Sequence, residues 1–321
     1  MILTFGPVPS RRLGRSLGIN NIPPKACSYS CVYCQVGPTA ATETTPRFFY
    51  PPELIRRSVE ERLEALTRTG AGADWLTFVP DGEPTLDANL GSAIELLRPL
   101  GIPIAVITNS SLLWRAEVRA ALHRADWLSV KVDSTDPDLW RRVNRPDPAL
   151  RLETILAGIE RLAADYGGTL TSETMLVAGV NDRPESVGAV AGFLSTIRPS
   201  VAYLAVPTRP PAEPGVRPPD EQTLAHAYQR MGAVLPRVEY LIGFEGIDFD
   251  STGRAEDDIL AVAAVHPLRE DALLALLAKS GADWATVERL LAAGTLRLVE
   301  YEGHRFYHRS LPPGGAQDNE R

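Results

Sequence analysis

Short apolar runs alternate with amphipathic stretches of helical length through most of the chain, and this alternation restricts it to parallel strands joined by helices. The runs are WLTFV (75–79), PIAVIT (103–108), WLSVKV (127–132), TLTSETMLV (169–177) and VAYLAV (201–206). The helical stretches are 53–69, 88–99, 114–124, 150–165, 184–197 and 220–235. With an opening strand near SLGIN (16–20) there are six units, too few for a closed eight-fold barrel. The count predicts an α/β fold built as an open, partial (β/α)6 barrel. A doubly wound sheet is the alternative, but no glycine-rich phosphate turn follows the first strand.

Each run ends in polar or turn residues: the cysteine-bearing loop, DGEP (81–84), TNSS (108–111), DSTD (133–136), GVND (179–182) and PTRPP (207–211). Parallel α/β folds gather function at that edge, where loops are free of the packing duties of the sheet. The proline-rich segment 207–222 is long for such a loop and reads as a lid.

The pattern divides the chain into a barrel over 1–245, a linker over 246–255, a small domain over 256–311 and a polar tail over 312–321. The small domain shows helical stretches followed by two short strand-like runs, TLRLVEY and HRFYHRS, meeting at Glu302-Gly303, and reads as winged-helix-like. A chain of 321 residues, 44% hydrophobic and 23% charged, is long enough for one large and one small domain. MILTFGPVPSRRLGRS lacks a basic flank followed by an apolar run, and no stretch reaches bilayer-spanning length. The expected setting is cytoplasmic, with no membrane partner. A net charge of −7 does not suggest a coat for nucleic acid. Lys25, Lys131 and Lys279 are the only lysines.

All three cysteines fall in KACSYSCVYCQVG (25–37), spaced C-x3-C-x2-C. An odd, clustered set in a reducing compartment argues for metal or redox chemistry over disulfides. A structural zinc site wants four Cys or His ligands, and the next histidine, His123, lies in the helical ALHRA. A redox pair leaves one thiol over. A four-iron cluster on three thiolates leaves one iron open to a further ligand.

C-x3-C-x2-C with Tyr33 before the last cysteine resembles the signature of the radical S-adenosylmethionine (radical SAM) superfamily. DGEP resembles that family's Gly-Gly-Glu-Pro turn, with Asp81 at the first glycine. TNSS, KVDST (131–135) and MLVAGVND (175–182) fall where the family places later cofactor contacts. The resemblance covers about residues 1–245. It implies that Cys27, Cys31 and Cys34 hold a [4Fe–4S] cluster and that S-adenosyl-L-methionine (SAM) chelates the fourth iron. It further implies cofactor contacts from Gly82, Asn181 and several residues with distinct parts. Glu83 would accept from the SAM ammonium, Tyr33 would flank the adenine, Asn109 and Ser134 would meet the ribose or the carboxylate, and Gly179 would admit close backbone approach. Asp81 adds a second acceptor or a steric change. One-electron cleavage of SAM would give a 5′-deoxyadenosyl radical that abstracts hydrogen, with ferredoxin or flavodoxin as electron donor.

GPVPSRRLGRSLGIN and FVPDGEPTLD further resemble iron–sulfur oxidoreductases related to the wyosine-forming tRNA enzymes, and more distantly to the molybdopterin-precursor cyclase. No cysteine is left for a second cluster. Three readings follow. The first is action on a tRNA base, supported by Arg11, Arg12 and Arg15, by Arg141, Arg142 and Arg145, and by a wing bearing Arg297, His304, Arg305, His308 and Arg309. Its recognition helix is poor, with Asp283 and Glu288 against Arg289. The second is action on a small molecule or peptide. There Lys131, on one face with Ser129 and Asp133, is a substrate ligand, a Schiff-base amine, or half of a buried pair with Asp133 or Glu173. The third is a cluster-bearing DNA sensor, which would need a basic recognition helix and no Glu83.

Overall fold

The computed structural model describes residues 2–243, 246 and 249–310; the expected tail over 312–321 lies outside them. An eight-stranded sheet runs in sequential order. Strand β1 (Thr4–Ser10) pairs antiparallel with β2 (Gly14–Ile19). Parallel to β2 follow β3 (Trp75–Phe78), β4 (Ile104–Thr108), β5 (Trp127–Lys131), β6 (Thr169–Met175), β7 (Val201–Ala205) and β8 (Val238–Leu241). The sheet curls into an open half-barrel, as the alternation predicts. It extends past the expected six units at both ends. Val238–Leu241 supplies a further parallel strand, and GPVPS folds back as β1.

The crossovers are α1 (Pro52–Arg68), α2 (Leu90–Leu97), α3 (Ala116–Leu122), α4 (Pro137–Asn144) with α5 (Leu152–Asp165), α6 (Pro184–Ile197) and α7 (Glu221–Gly232). Alternation along each strand sorts its side chains. Leu128 and Val130 of β5 face the helices, in a core shared with Ile55, Ile94, Ile159 and Leu194. Trp127 faces the barrel interior, packed with Leu13, Ala105, Val201 and Tyr203. Gly18 is glycine because a Cβ there would lie 2.1 Å from the Phe5 ring.

Helix α4 is not among the stretches that periodicity marks as helical; in sequence its residues stand out only as arginines after a strand. Its start is nonetheless written in the chain: the Asp136 carboxylate accepts from the backbone N–H groups of Asp138 and Leu139, and Pro137 fills the first turn.

The C-terminal part holds α8 (Ala255–Val265), β9 (Leu268–Arg269), α9 (Glu270–Ser280), α10 (Ala285–Ala292), β10 (Leu296–Tyr301) and β11 (His304–Arg309). Its three strands pair antiparallel in the order β10-β11-β9, with Glu302 and Gly303 at positive φ in the hairpin turn. Its core joins Ile259, Leu273, Leu276, Val287, Leu290 and Tyr307. Phe249, from the expected linker, is 1% exposed in the same core, so the connection is packed against the domain it leads to. Ala261 and Val265 of α8 pack on Phe5 of β1. Arg62 of α1 and Asp258 of α8 form a buried ion pair at 2.9 Å, and Arg62 Nε also donates to the Gly6 carbonyl at 2.9 Å. Among the described residues no helix is long and apolar enough to cross a membrane.

Removing one member of a buried pair leaves the other charge without compensation. Asp258→Ala should therefore lower the unfolding free energy by about 3–5 kcal/mol, read from urea denaturation. Replacing Arg62 and Asp258 together by leucine should cost less than the sum of the single changes.

Candidate active site at the barrel mouth

The loop after β2 carries Cys27, Cys31 and Cys34 to the C-terminal edge of the parallel strands, all as free thiols. They line one wall of a cavity of about 350 Å³ inside the half-barrel. A larger groove of about 870 Å³ lies outside the barrel between α6 and α7 and has no cysteine in its lining, so the chemistry belongs to the smaller space.

Each sulfur accepts a side-chain N–H. Cys27 Sγ receives Asn109 Nδ2 at 3.6 Å, Cys31 Sγ receives Asn144 Nδ2 at 3.5 Å, and Cys34 Sγ receives Lys25 Nζ at 3.5 Å. Burial pushes the Cys27 thiol up, and pushes the Cys31 thiol up to about 11 against the opposing Asn144 bond. Buried thiols provided with N–H donors suit thiolate ligands of a positive group, which such donors tune. Among the described residues no three Cys, His, Asp or Glu side chains gather around a single metal ion. The donor set fits a cluster that spreads its cysteines more widely, and the fourth ligand that a zinc site needs is not gathered with them.

Two buried carboxylates hold the loop. Glu83, 1% exposed, accepts at Oε1 from Thr85 N (3.1 Å), Thr85 Oγ1 (2.6 Å) and Thr108 Oγ1 (2.6 Å), and at Oε2 from Asn109 N (2.7 Å). Burial pushes its carboxyl up, and these bonds hold it back. The backbone N–H of Glu83 donates to the Ala26 carbonyl at 2.9 Å. A Cβ on Gly82 would lie 2.1 Å from that same carbonyl, so glycine is what lets the DGEP turn touch the cysteine loop. On the other side Asp133 accepts from Tyr33 Oη, from Asn144 Nδ2 (2.7 Å) and from Met175 N (2.8 Å). Two non-glycine residues at positive φ, Lys25 and Ser110, stand at the same edge.

The sequence-predicted residues divide here. Tyr33, Gly82, Glu83, Asn109 and Lys131 line the cavity with the cysteines. Ser134, Gly179 and Asn181 stand behind it. Ser134 Oγ closes a turn on Asp136, accepting its N–H at 3.0 Å. Gly179 is exposed, at φ +69, in the turn before α6. Asn181, 1% exposed, donates to the carbonyls of Asp133 and Met175 at 2.9 and 2.8 Å. All three meet the backbone needs of strand ends, the duty such residues most often have.

Lys131 Nζ pairs with Glu173 Oε1 at 2.7 Å, and Arg12 Nη1 reaches Glu173 Oε2 at 2.7 Å from beneath, over the rings of Trp127 and Tyr203. Burial would lower the Lys131 pKa, but Glu173 and Asp133 outweigh it and the net direction is up. A nucleophilic amine needs the opposite shift, and the ion pair with Glu173 favours the charged form of this lysine. Asn144 and Lys25 are site residues that the motifs alone do not mark, while Asp133 falls in KVDST but is read there only as a partner of Lys131. Asn144 and its bond to Cys31 follow from α4, which periodicity does not reveal, while Lys25 has only its adjacency to the cysteine loop as a signal.

Residues 21–188 match the Radical SAM superfamily. A UPF0026 protein of Methanocaldococcus jannaschii is 44% identical over 313 residues, 97% of each chain. A radical SAM methyltransferase structure from Sphaerobacter thermophilus matches 71% of this chain and 67% of its own, with TM-score 0.56 at 18% identity. Streptococcus suis SuiB bound to S-adenosylmethionine matches 70% of this chain and 50% of its own, with TM-score 0.52 at 11% identity. Both structural likenesses are of fold.

Burial pushes Glu173 up, but Lys131 and Arg12 draw it down to about 2 from an ordinary 4.5. A depressed carboxyl contributes stability that is full above the unfolded value and is lost as pH falls through the folded one. Glu173→Gln should thus cost on the order of 3 kcal/mol at pH 7. It should also show a shallower loss of stability than the unaltered protein between pH 4.5 and 2, read by unfolding at a series of pH values.

Proposed function

The chain belongs to the radical SAM superfamily, and from that premise we propose that it binds a [4Fe–4S] cluster on Cys27, Cys31 and Cys34 and SAM in the adjoining cavity, to act on a small molecule. The observation that carries the reading is the set of three sulfurs, each with its own N–H donor, along one wall of a 350 Å³ cavity at the strand ends. When bound, the cluster and SAM supply reductive cleavage of the sulfonium to a 5′-deoxyadenosyl radical that takes hydrogen from the substrate.

The chain's part is to hold, orient and dry the site. Asn109, Asn144 and Lys25 steady the sulfurs. Gly82 sets the turn against the cysteine loop, and Glu83 keeps it there through β4. Tyr33 and Asn109 are the proposed contacts to SAM from the cavity wall. Ser134, Gly179 and Asn181 shape the loops behind that wall. Lys131, kept protonated by Glu173, presents a cation toward the substrate. The electron arrives from a small carrier such as ferredoxin or flavodoxin.

The modest volume of the cavity, about 350 Å³, favours a small substrate. Residues 1–245 act as the barrel and 256–311 as a winged-helix-like wall, with Val265 and His266 lining the cavity at the joint. Gln35 Nε2 donates to the Val265 carbonyl at 2.8 Å, and Arg209 Nη2 lies 2.9 Å from His266 Nε2. Tyr301 Oη of β10 reaches the carbonyls of Pro207 and Val216 at 3.4 Å, which ties down the segment expected to be a lid. The arginines that recommended a tRNA partner are largely engaged within the protein: Arg12 with Glu173, Arg15 with Asp74, Arg141 with Asp138, Arg145 with Glu213 and Arg305 with Glu270. A phosphate backbone has to compete with those carboxylates.

Anaerobically reconstituted, reduced protein should release 5′-deoxyadenosine from SAM, measured by liquid chromatography. Cys31→Ala should lose iron and that product together. Mixed tRNA should not bind in low salt; tight binding that weakens steeply with salt would overturn the small-molecule reading.

A further inference from the structure

Val32 lies between two of the cysteines in sequence and forms part of the floor of a depression of about 500 Å³ on the outside of the protein. Val177, Val180 and Val216 complete that apolar floor and pack with Val32 in one cluster that includes Cys31 and Tyr33. The floor is fixed on both sides: Val32 N–H donates to the Val143 carbonyl at 2.9 Å, and the Val32 carbonyl accepts Glu213 N–H at 3.0 Å. Elsewhere the cysteine loop is covered. Glu43 N–H donates to the Cys27 carbonyl at 3.0 Å, and Gln35, beside Cys34, is engaged by Val265.

Exposed arginines surround the depression. Arg142 and Arg145 line its rim, and Arg217 stands beside it, where its carbonyl accepts the N–H of the lining residue Ala178 at 3.0 Å. Arg145 is held by Glu213 at 2.5 Å, whereas Arg142 and Arg217 have no ion-pair partner among the described residues. The other nearby acid, Asp182, accepts Gly179 N–H at 2.9 Å, so three arginines meet two carboxylates. On a chain of net charge −7, this local excess of positive charge runs against the whole.

We propose that this depression is where an acidic one-electron carrier protein of flavodoxin type docks to reduce the cluster. The inference rests on the cluster proposed above and names where its electron enters. One electron leaves the reduced carrier and is taken up by the [4Fe–4S] group; no atom or proton changes hands. Electron-transfer complexes are brief and small, and an apolar centre within a charged rim suits them. Two acidic proteins repel each other, so a basic rim is needed to orient the carrier and raise its rate of encounter. The contact sets the carrier against Val32, adjacent to Cys31 in the chain, and leaves the cavity on the other side of the loop to SAM and substrate.

The test uses full-length protein reconstituted with iron and sulfide. It follows 5′-deoxyadenosine release from SAM with two reductants, flavodoxin held reduced and dithionite. With flavodoxin the rate should fall steeply as salt rises. Arg142→Glu combined with Arg217→Glu should keep the iron content and hold the dithionite-driven rate within about twofold. The same variant should need about tenfold more flavodoxin for half-maximal rate at low salt, and should lose most of the salt dependence. An unchanged flavodoxin requirement overturns the proposal. An equal loss with both reductants overturns it too, because the arginines then support the fold of the site. If the double variant loses iron, Ala178→Glu is measured in its place, and loss of iron there as well overturns the proposal in favour of a structural patch. Activity with dithionite and none with flavodoxin rejects the docking face. So does mixed tRNA that binds in low salt and is released by the two charge reversals, which makes the face a polyanion site. Unaltered protein that holds iron and releases no 5′-deoxyadenosine with either reductant refutes the SAM site itself, a result distinct from a failure confined to the arginines.

Discussion

Two buried carboxylates just past the ends of β3 and β5, on either side of β4, must be satisfied without water, and the site is arranged around how that is done. Glu83 draws its donors from its own turn and from the end of β4, which fixes the edge of the sheet against which Ala26 and Cys27 lie. Asp133 draws its donors from Tyr33, Asn144 and the end of β6. The cysteine loop is thus gripped on both sides by groups that cost several kcal/mol to leave unpaired. The same two residues that serve these carboxylates, Asn109 and Asn144, also reach Cys27 and Cys31 through their side-chain amides. The arrangement around the sulfurs is therefore built into the packing of the strand ends and does not depend on the loop's own conformational preference.

A half-barrel leaves an open side that the chain closes with its own ends. The β1–β2 hairpin runs beneath the strands. Leu13 enters the interior, Arg12 lies over Trp127 and Tyr203, and Arg11 donates to the Ile242 carbonyl just past β8. Helix α8 then covers β1, anchored by Asp258 on Arg62. Val265 and His266 complete the cavity from a part of the chain more than two hundred residues from the cysteines. A concave space with more apolar than polar lining surface is the form small-molecule sites generally take, and a radical has fewer side reactions available where protein displaces water.

How much of this is legible in the sequence depends on the range of the interaction concerned. Strand faces obey a period of two, so the placement of Lys131 inside the barrel opposite Val130 can be read from WLSVKV alone. Cysteine spacing is local, and so is the position of the loop. Gly82 can be read as part of a motif, although the reason for it, an Ala26 carbonyl that would stand 2.1 Å from any Cβ at that position, is a contact across fifty-six residues. Ser134 and Asn181 resemble ligand contacts in one dimension because strand ends attract polar residues of either kind. Only the three-dimensional accounting of donors shows that they serve the backbone. Strand β1 escapes a reading by pattern for a related reason. GPVPS has two prolines, which argue against an interior strand, and β1 sits at the sheet's edge, where prolines are tolerated.

The abundance of arginine acquires a structural meaning from its partners. A guanidinium can satisfy several acceptors at once in a fixed plane, which suits it to tying carbonyls and carboxylates of separate elements together. Arg62 joins Gly6 to Asp258, Arg119 holds the carbonyls of Leu113 and Trp114, and Arg98 caps the Arg124 carbonyl. A basic side chain in this protein is therefore weak evidence for an external anion until its internal acceptors have been counted. The same accounting applied to acids shows Glu83, next to Gly82, fully met by protein donors. A buried carboxylate satisfied by its own turn and by the neighbouring strand is a brace of the fold.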